Sequence, residues 1–136
     1  MNKAAFSIEK YIFDKVLIDL SNYVSDNINI NFSPKGVFNK EASSFDLTFT
    51  FIAFNDNNIE TPFVNIQCVG YFKFDNINSF EEIPSFFYRN SIAILFPFVR
   101  AFVSMVTIQA NVPPILLATL NLSSLEEPLK QNTTQI

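Results

Sequence analysis

Phe45-Asp46-Leu47-Thr48-Phe49-Thr50-Phe51-Ile52-Ala53-Phe54 decides the fold class. Phe45, Leu47, Phe49, Phe51 and Ala53 fall on one face of an extended chain. Asp46, Thr48 and Thr50 fall on the other, and Ile52 and Phe54 make the far end apolar on both sides. Period two with one polar side predicts a half-buried antiparallel strand. Just upstream, Ile28-Asn29-Ile30-Asn31-Phe32-Ser33 alternates without exception and runs into Ser33-Pro34-Lys35-Gly36, a turn signal. Further upstream, Phe6 to Leu20 predicts another strand, with Phe6, Ile8, Ile12, Val16, Ile18 and Leu20 on one face. Downstream, Asn55-Asp56-Asn57-Asn58 is a polar turn. A fourth strand follows from Phe63 to Phe74, with Val64, Ile66, Cys68, Phe72 and Phe74 sharing a face. Gly70 within it marks a bulge or a close backbone approach.

The period changes after Asp75. Ser79-Phe80-Glu81-Glu82 has capping-box spacing and predicts a helix start. From Arg89 onward Ile92, Leu95, Phe96, Val99, Phe102, Val103 and Val106 recur at helical spacing. Pro97 should kink or break that helix near Phe96, and Asn111-Val112-Pro113-Pro114 should end it. Ser123 or Ser124 with Glu126 or Glu127 predicts a short last helix, and residues 131–136 read as a polar, frayed tail. The expected fold is α+β in a single domain, residues 1–136: a four-stranded antiparallel sheet, then a long kinked helix and a short C-terminal helix. Ile92 to Ile108 is apolar apart from Arg100, Ser104 and Thr107. Arg100 would sit near the middle of a membrane span at a cost of about 2.5–3.5 kcal/mol, and the strands need a cover. The expectation is therefore no membrane span, and a helix with its own sheet on one side and another subunit on the other.

Composition narrows the function. Of 136 residues 49% are hydrophobic and 16% charged, with 17 Phe and no Trp. That is more large apolar surface than one small domain needs for its core, and the surplus points to a subunit interface or a ligand surface. Two Gly exclude Gly-rich phosphate loops, and the absence of His excludes His triads and His metal sites. One Cys excludes an intrachain disulfide. The net charge of −4, without a basic stripe, argues against nucleic acid. No secretory pattern opens the chain, so the expected compartment is the cytoplasm. No cofactor or metal is expected.

Asn90-Ser91-Ile92-Ala93-Ile94-Leu95-Phe96-Pro97-Phe98-Val99-Arg100 resembles the helix of the SecB chaperone family, in which Leu-Phe-Pro-aromatic is followed closely by Arg. Val103-Ser104-Met105-Val106-Thr107, Val112-Pro113-Pro114-Ile115 and Leu120-Asn121-Leu122 are similar to its continuation. Glu60-Thr61-Pro62-Phe63, Gly70-Tyr71-Phe72-Lys73-Phe74 and Phe6-Ser7-Ile8-Glu9-Lys10 resemble its strand segments in the same order. The likeness departs at Lys15, where the family has Asp, and at Pro128, which falls in the last helix.

The resemblance implies a non-enzymatic cytoplasmic holdase, a dimer of dimers that binds unfolded, export-bound polypeptides in apolar grooves and delivers them to SecA. Relatives that guard an antitoxin give the alternative of a dedicated antitoxin chaperone. A lipid- or small-molecule-binding domain is a third reading, from the Phe content alone. Phe32, Val37 and Phe38 flank the expected turn and are the candidate groove residues. Asp19 and Glu60 match the family's SecA-facing acids, with Glu9 as a neighbour. Ile92, Phe96, Val99 and Val103 are the candidate subunit interface. Cys68 reads as a buried small hydrophobe.

Overall fold

A computed structural model describes residues 5–112, 115, 117 and 122–136. The alternating stretch forms β3 (Ser44–Asn55), with every second residue from Phe45 to Asn55 buried. β3 pairs antiparallel with β2 (Ile28–Asn39) on one side and with β4 (Val64–Phe74) on the other. β1 (Phe6–Ile18) pairs antiparallel with β4. The four expected strands are joined by a fifth, β5 (Thr133–Gln135), parallel to β2, which makes the order β1-β4-β3-β2-β5. The polar segment expected to fray is thus tied to the sheet. Gly36 N–H donates to Asn132 O at 3.2 Å, and Ile136 N–H donates to Phe38 O at 2.8 Å.

Two strand readings are corrected. Ser33–Gly36 is not a turn, and β2 runs straight through it. Gly36 N–H points to the β5 side, so Pro34, two residues back, turns its missing donor to the same outer edge, where a strand tolerates proline. Gly36 is required by packing, because a Cβ there would overlap the Phe45 ring. In β1, irregularities between Ile8 and Lys10 and between Phe13 and Lys15 shift the register twice. Each extra residue reverses the phase of a period-two pattern. Tyr11 and Phe13 therefore pair with Gly70 and Cys68, on the face expected for Ile12, while Ile12 pairs with Val69 on the opposite face.

One long helix, α1 (Ser85–Gln109), covers the sheet. The Ser79–Glu82 pair closes a short 3-10 turn, Phe80–Glu82, and α1 begins after it at Ser85. Pro97 does not break α1, which continues for 25 residues through it. Ala93 and Pro97 are both exposed, so the carbonyl left without its intrahelical donor lies on the solvent side. Phe87, Ile92, Leu95, Phe96, Val99 and Val103 face the sheet and are buried. The Phe87 ring meets Phe6, Phe45 and Phe74 at centroid distances of 4.8, 4.8 and 4.7 Å, edge-on or tilted as aromatic quadrupoles favour. Gly70 lets Leu95 approach the sheet, where a Cβ would stand 3.1 Å from Leu95 Cδ1. α2 (Glu126–Gln131) packs on β2 and α1 through the fully buried Leu129. Pro128 sits in its first turn and does not interrupt it. Pro113, Pro114, Leu120 and Asn121 lie outside the described residues.

Asn55 ends β3 fully buried and pins the β1–β2 connection. Its Oδ1 accepts from Val24 N–H at 2.7 Å, and its Nδ2 donates to Ser25 O at 2.9 Å and Asn27 O at 3.1 Å. Asn55→Leu keeps the volume and strands these groups. It should destabilise the fold by about 1–3 kcal/mol in denaturant unfolding, more than Asn29→Leu in the exposed part of β2.

Candidate functional site

α1 is apolar on both sides. Opposite its sheet-facing stripe, Phe86, Ile94, Phe98, Met105 and Ile108 are exposed, Phe98 by 39% and Met105 by 50%. Beside this stripe lies the edge strand β1. The two bulges bring Tyr11 and Phe13 under the helix, where Tyr11 stacks on Phe98 at 4.3 Å and Phe13 on Phe102 at 3.9 Å. With Ala101 and Met105 these rings line an open groove of about 230 Å³. Val16 is exposed further along β1 on this face, and Ile12 and Leu17 are exposed on the opposite one. The exposed stripe of α1 and the groove beside it form an apolar patch of the kind that marks an interaction surface.

The opposite edge is different in kind. β5 pairs with β2 only at Gly36–Phe38. Gly36 N–H and Phe38 C=O point to that edge, so residues of the same parity, Ile28, Ile30 and Phe32, turn their N–H and C=O there as well. Among the described residues no strand pairs with this stretch from outside. Ile30 is exposed, and Phe32 packs at the rim of the core, 5.3 Å from Phe49 and 5.7 Å from Phe96. An unpaired edge with apolar side chains is a template for an added extended chain. Where β5 begins, a hollow of about 440 Å³ opens on the bare face of the sheet.

The sequence candidates scatter across this frame. Phe38 is fully buried in the core and cannot line a surface groove. Val37 lies on the bare sheet face opposite Asp46, and Phe32 on the helix-covered face. Only Phe32 borders the open edge. Ile92, Phe96, Val99 and Val103 are buried on the chain's own sheet. The helix does have the expected second apolar side, but it is carried by Phe86, Ile94, Phe98, Met105 and Ile108, which an almost all-round apolar helix does not distinguish in sequence. Asp19 accepts from Ser21 N–H at 3.1 Å and caps the 3-10 turn Leu20–Asn22. Glu60 is exposed at the same end of the sheet, where Asp19 N–H donates to Phe63 O. Glu9 sits at the first bulge, about 30 Å from Asp19 by the rise of a strand. These three acids do not form one cluster.

Among the described residues the charged and sulfur groups lie spread over the fold. Arg100 lies over the Phe96 ring at 6.0 Å. Burial, with the Asp14 charge adding to it, pushes the Cys68 thiol up to about 12. Among the described residues no group of acids and cysteine could hold a metal. α1 is long and apolar enough to cross a membrane by length and composition. Its buried stripe against the sheet gives it the place of a core helix.

A family model described as SecB, preprotein translocase subunit SecB, matches residues 6–132. The uncharacterized protein MJ0357 of Methanocaldococcus jannaschii is 27% identical over 147 aligned residues, covering 96% of this chain and 91% of that protein. The Mycobacterium tuberculosis SecB-like chaperone Rv1957, solved in complex with a ChAD peptide from the Rv1956 HigA1 antitoxin, superposes with a TM-score of 0.63 at 14% identity. The match covers 85% of this chain and 91% of that one. At that identity it shows a shared fold.

Cys68 carries a test of the core. Its thiol stays protonated in the fold to about 12, whereas in the unfolded chain it ionises near 9.0. Between those values the folded state holds the extra proton, so this residue's contribution to stability falls as pH rises, by up to about 1.4 kcal/mol per pH unit. Stability should decline less steeply above pH 9 in Cys68→Ala than in the parent protein, measured by urea unfolding at matched pH. Equal slopes would place the thiol in water.

Proposed function

The chain belongs to the SecB family, and from that membership we propose that it is a holdase chaperone. It holds unfolded polypeptides in extended form and catalyses no reaction. The observation that carries this reading is the open, apolar-rimmed edge of β2 at Ile28–Phe32. Unfolded clients share no sequence, but all of them carry backbone donors and acceptors, which an unpaired edge engages without regard to side chain. Phe32 and Ile30 add apolar contact, with Val37 on the neighbouring bare face, and Phe38 supports the strand from the core. The Mycobacterium relative, which is bound to an antitoxin peptide, supports a polypeptide ligand.

Assembly is assigned to the other side of the molecule. We propose that the outward stripe of α1 and the aromatic groove along β1 are covered by further copies of the chain, in a homotetramer. Leaving Phe98, Met105 and Ile108 in water is costly, whereas each large side chain buried recovers about 1.5–3 kcal/mol. Ile92, Phe96, Val99 and Val103 then support that interface from beneath. The proposed setting is the cytoplasm, with preproteins as clients and Asp19 and Glu60 presented to SecA. A dedicated antitoxin client is the second reading, favoured by the antitoxin peptide on the relative. A toxin–antitoxin gene neighbourhood would separate the two.

Light scattering tests both halves. The protein should run near four times its 15.5 kDa chain mass. It should gain mass with a reduced, unfolded client and not with the folded form of that client. Phe98→Glu with Met105→Glu should yield smaller species with unchanged far-UV circular dichroism. A 15.5 kDa monomer indifferent to unfolded protein would refute the reading.

A further inference from the structure

The hollow at the end of the β2 edge has a chemistry that the apolar surfaces lack. Ser33, Lys35, Thr50 and Gln67 rise into it from the bare face of the sheet, and Gln131, Asn132 and Thr134 close it from the C-terminal segment. No acid lines it. Lys35 is exposed and, among the described residues, has no ion-pair partner. Two carboxylates lie near the hollow: Asp46, on the same face of β3 and diagonal to Lys35 at about 7–8 Å with no ion pair between them, and Asp14, on β1, held within the neighbouring network. Asp14 takes both hydrogen bonds from the Gln67 amide, at 3.1 and 3.2 Å, while Thr50 Oγ1 donates to Gln67 Oε1 at 3.4 Å. β1 and β2 are separated by β4 and β3, which puts Asp14 about 14 Å across the sheet from Lys35. At that separation exposed charges are largely screened at ordinary salt. The result is a hollow of hydroxyls and amides with one unpaired cation, on a chain whose net charge is −4.

Its position gives it a role. A strand added along Ile28–Phe32 runs in line with β5 and ends against Gln131–Asn132, because Asn132 O already occupies Gly36 N–H. The residue at that end of the added strand cannot continue along the edge, and its side chain has the hollow as its nearest recess. We infer that the hollow reads an acidic side chain, Asp or Glu, placed at the end of the client's edge-pairing segment, with Lys35 as its counter-charge and the Ser33 and Thr134 hydroxyls and the Gln131 and Asn132 amides as hydrogen-bond donors. This rests on the edge-docking reading proposed above and adds a side-chain preference to an otherwise sequence-blind contact.

Fluorescence anisotropy with three labelled peptides, acetylated and amidated, separates the outcomes. Each carries the same extended apolar segment, ended by Glu, Gln or Lys, with the variable residue placed at either end to cover both strand directions. The Glu peptide should bind about two- to fivefold more tightly than the Gln peptide, the range of a partly exposed ion pair, and the Lys peptide more weakly than both. Lys35→Gln should abolish the Glu–Gln gap, and 0.5 M salt should narrow the gap in the parent protein. A free C-terminal carboxylate that substitutes fully for Glu would overturn the side-chain assignment. Equal binding of all three peptides, or a gap that persists in Lys35→Gln, would overturn the inference and leave edge docking standing. Failure of every peptide to bind would overturn the edge-docking reading and this inference with it.

Discussion

A single helix lies on a sheet that is wider than the helix. Five strands at about 4.8 Å spacing span about 19 Å, whereas a helix with its side chains is about 10–12 Å across. α1 can therefore seal only a band of the sheet. On the β2 side the remaining core is closed by α2, through Leu129. On the β1 side no further element is described, and the uncovered aromatics of β1 stack on the flank of the helix instead. Among the described residues no helix covers the second face of the sheet, which mixes polar residues with Ile12, Val37, Ile52 and Phe54. The apolar groove between α1 and β1 follows from that mismatch of widths.

The aromatic content answers the same constraint. A sheet under one helix needs large side chains to fill the layer between them, and Phe87 does this at the start of α1 by meeting sheet phenylalanines from β1, β3 and β4. The two glycines act in the opposite sense. Gly36 yields space to Phe45 and Gly70 to Leu95, so both are places of close packing in strands. Further along α1, the residues that fill the layer leave an equally apolar outer stripe. An exposed apolar stripe of this kind marks a surface for contact with another molecule.

Much of the candidate site was legible only in outline. The acidic residues were visible as residues, but Asp19 turned out to cap a 3-10 turn and Glu9 to lie at the far end of β1. Phe32, Val37 and Phe38 form one group only if Pro34 and Gly36 make a turn. In a continuous strand, consecutive residues go to opposite faces, and the group divides. Asp14 and Tyr11 went unnoticed because a β-bulge leaves no mark in a single-sequence pattern beyond a lapse of phase, which polar scatter imitates.

What the sequence by itself determined was the order of elements and their inner faces. Period two in β2, β3 and β4 and period 3.6 in α1 are set by local backbone geometry, and the apolar side of each has nowhere else to go. The family likeness lay in the same local segments. What only the tertiary structure decided was everything that depends on neighbours distant in the chain: β5 pairing with β2, which edge stays open, which side of an all-round apolar helix meets the sheet, and where a polar hollow forms between the sheet and the C-terminal segment. Residues 131–136 illustrate the reason. Thr133–Gln135 is too short to form a strand alone, and it becomes one because the β2 edge supplies the hydrogen-bond partners.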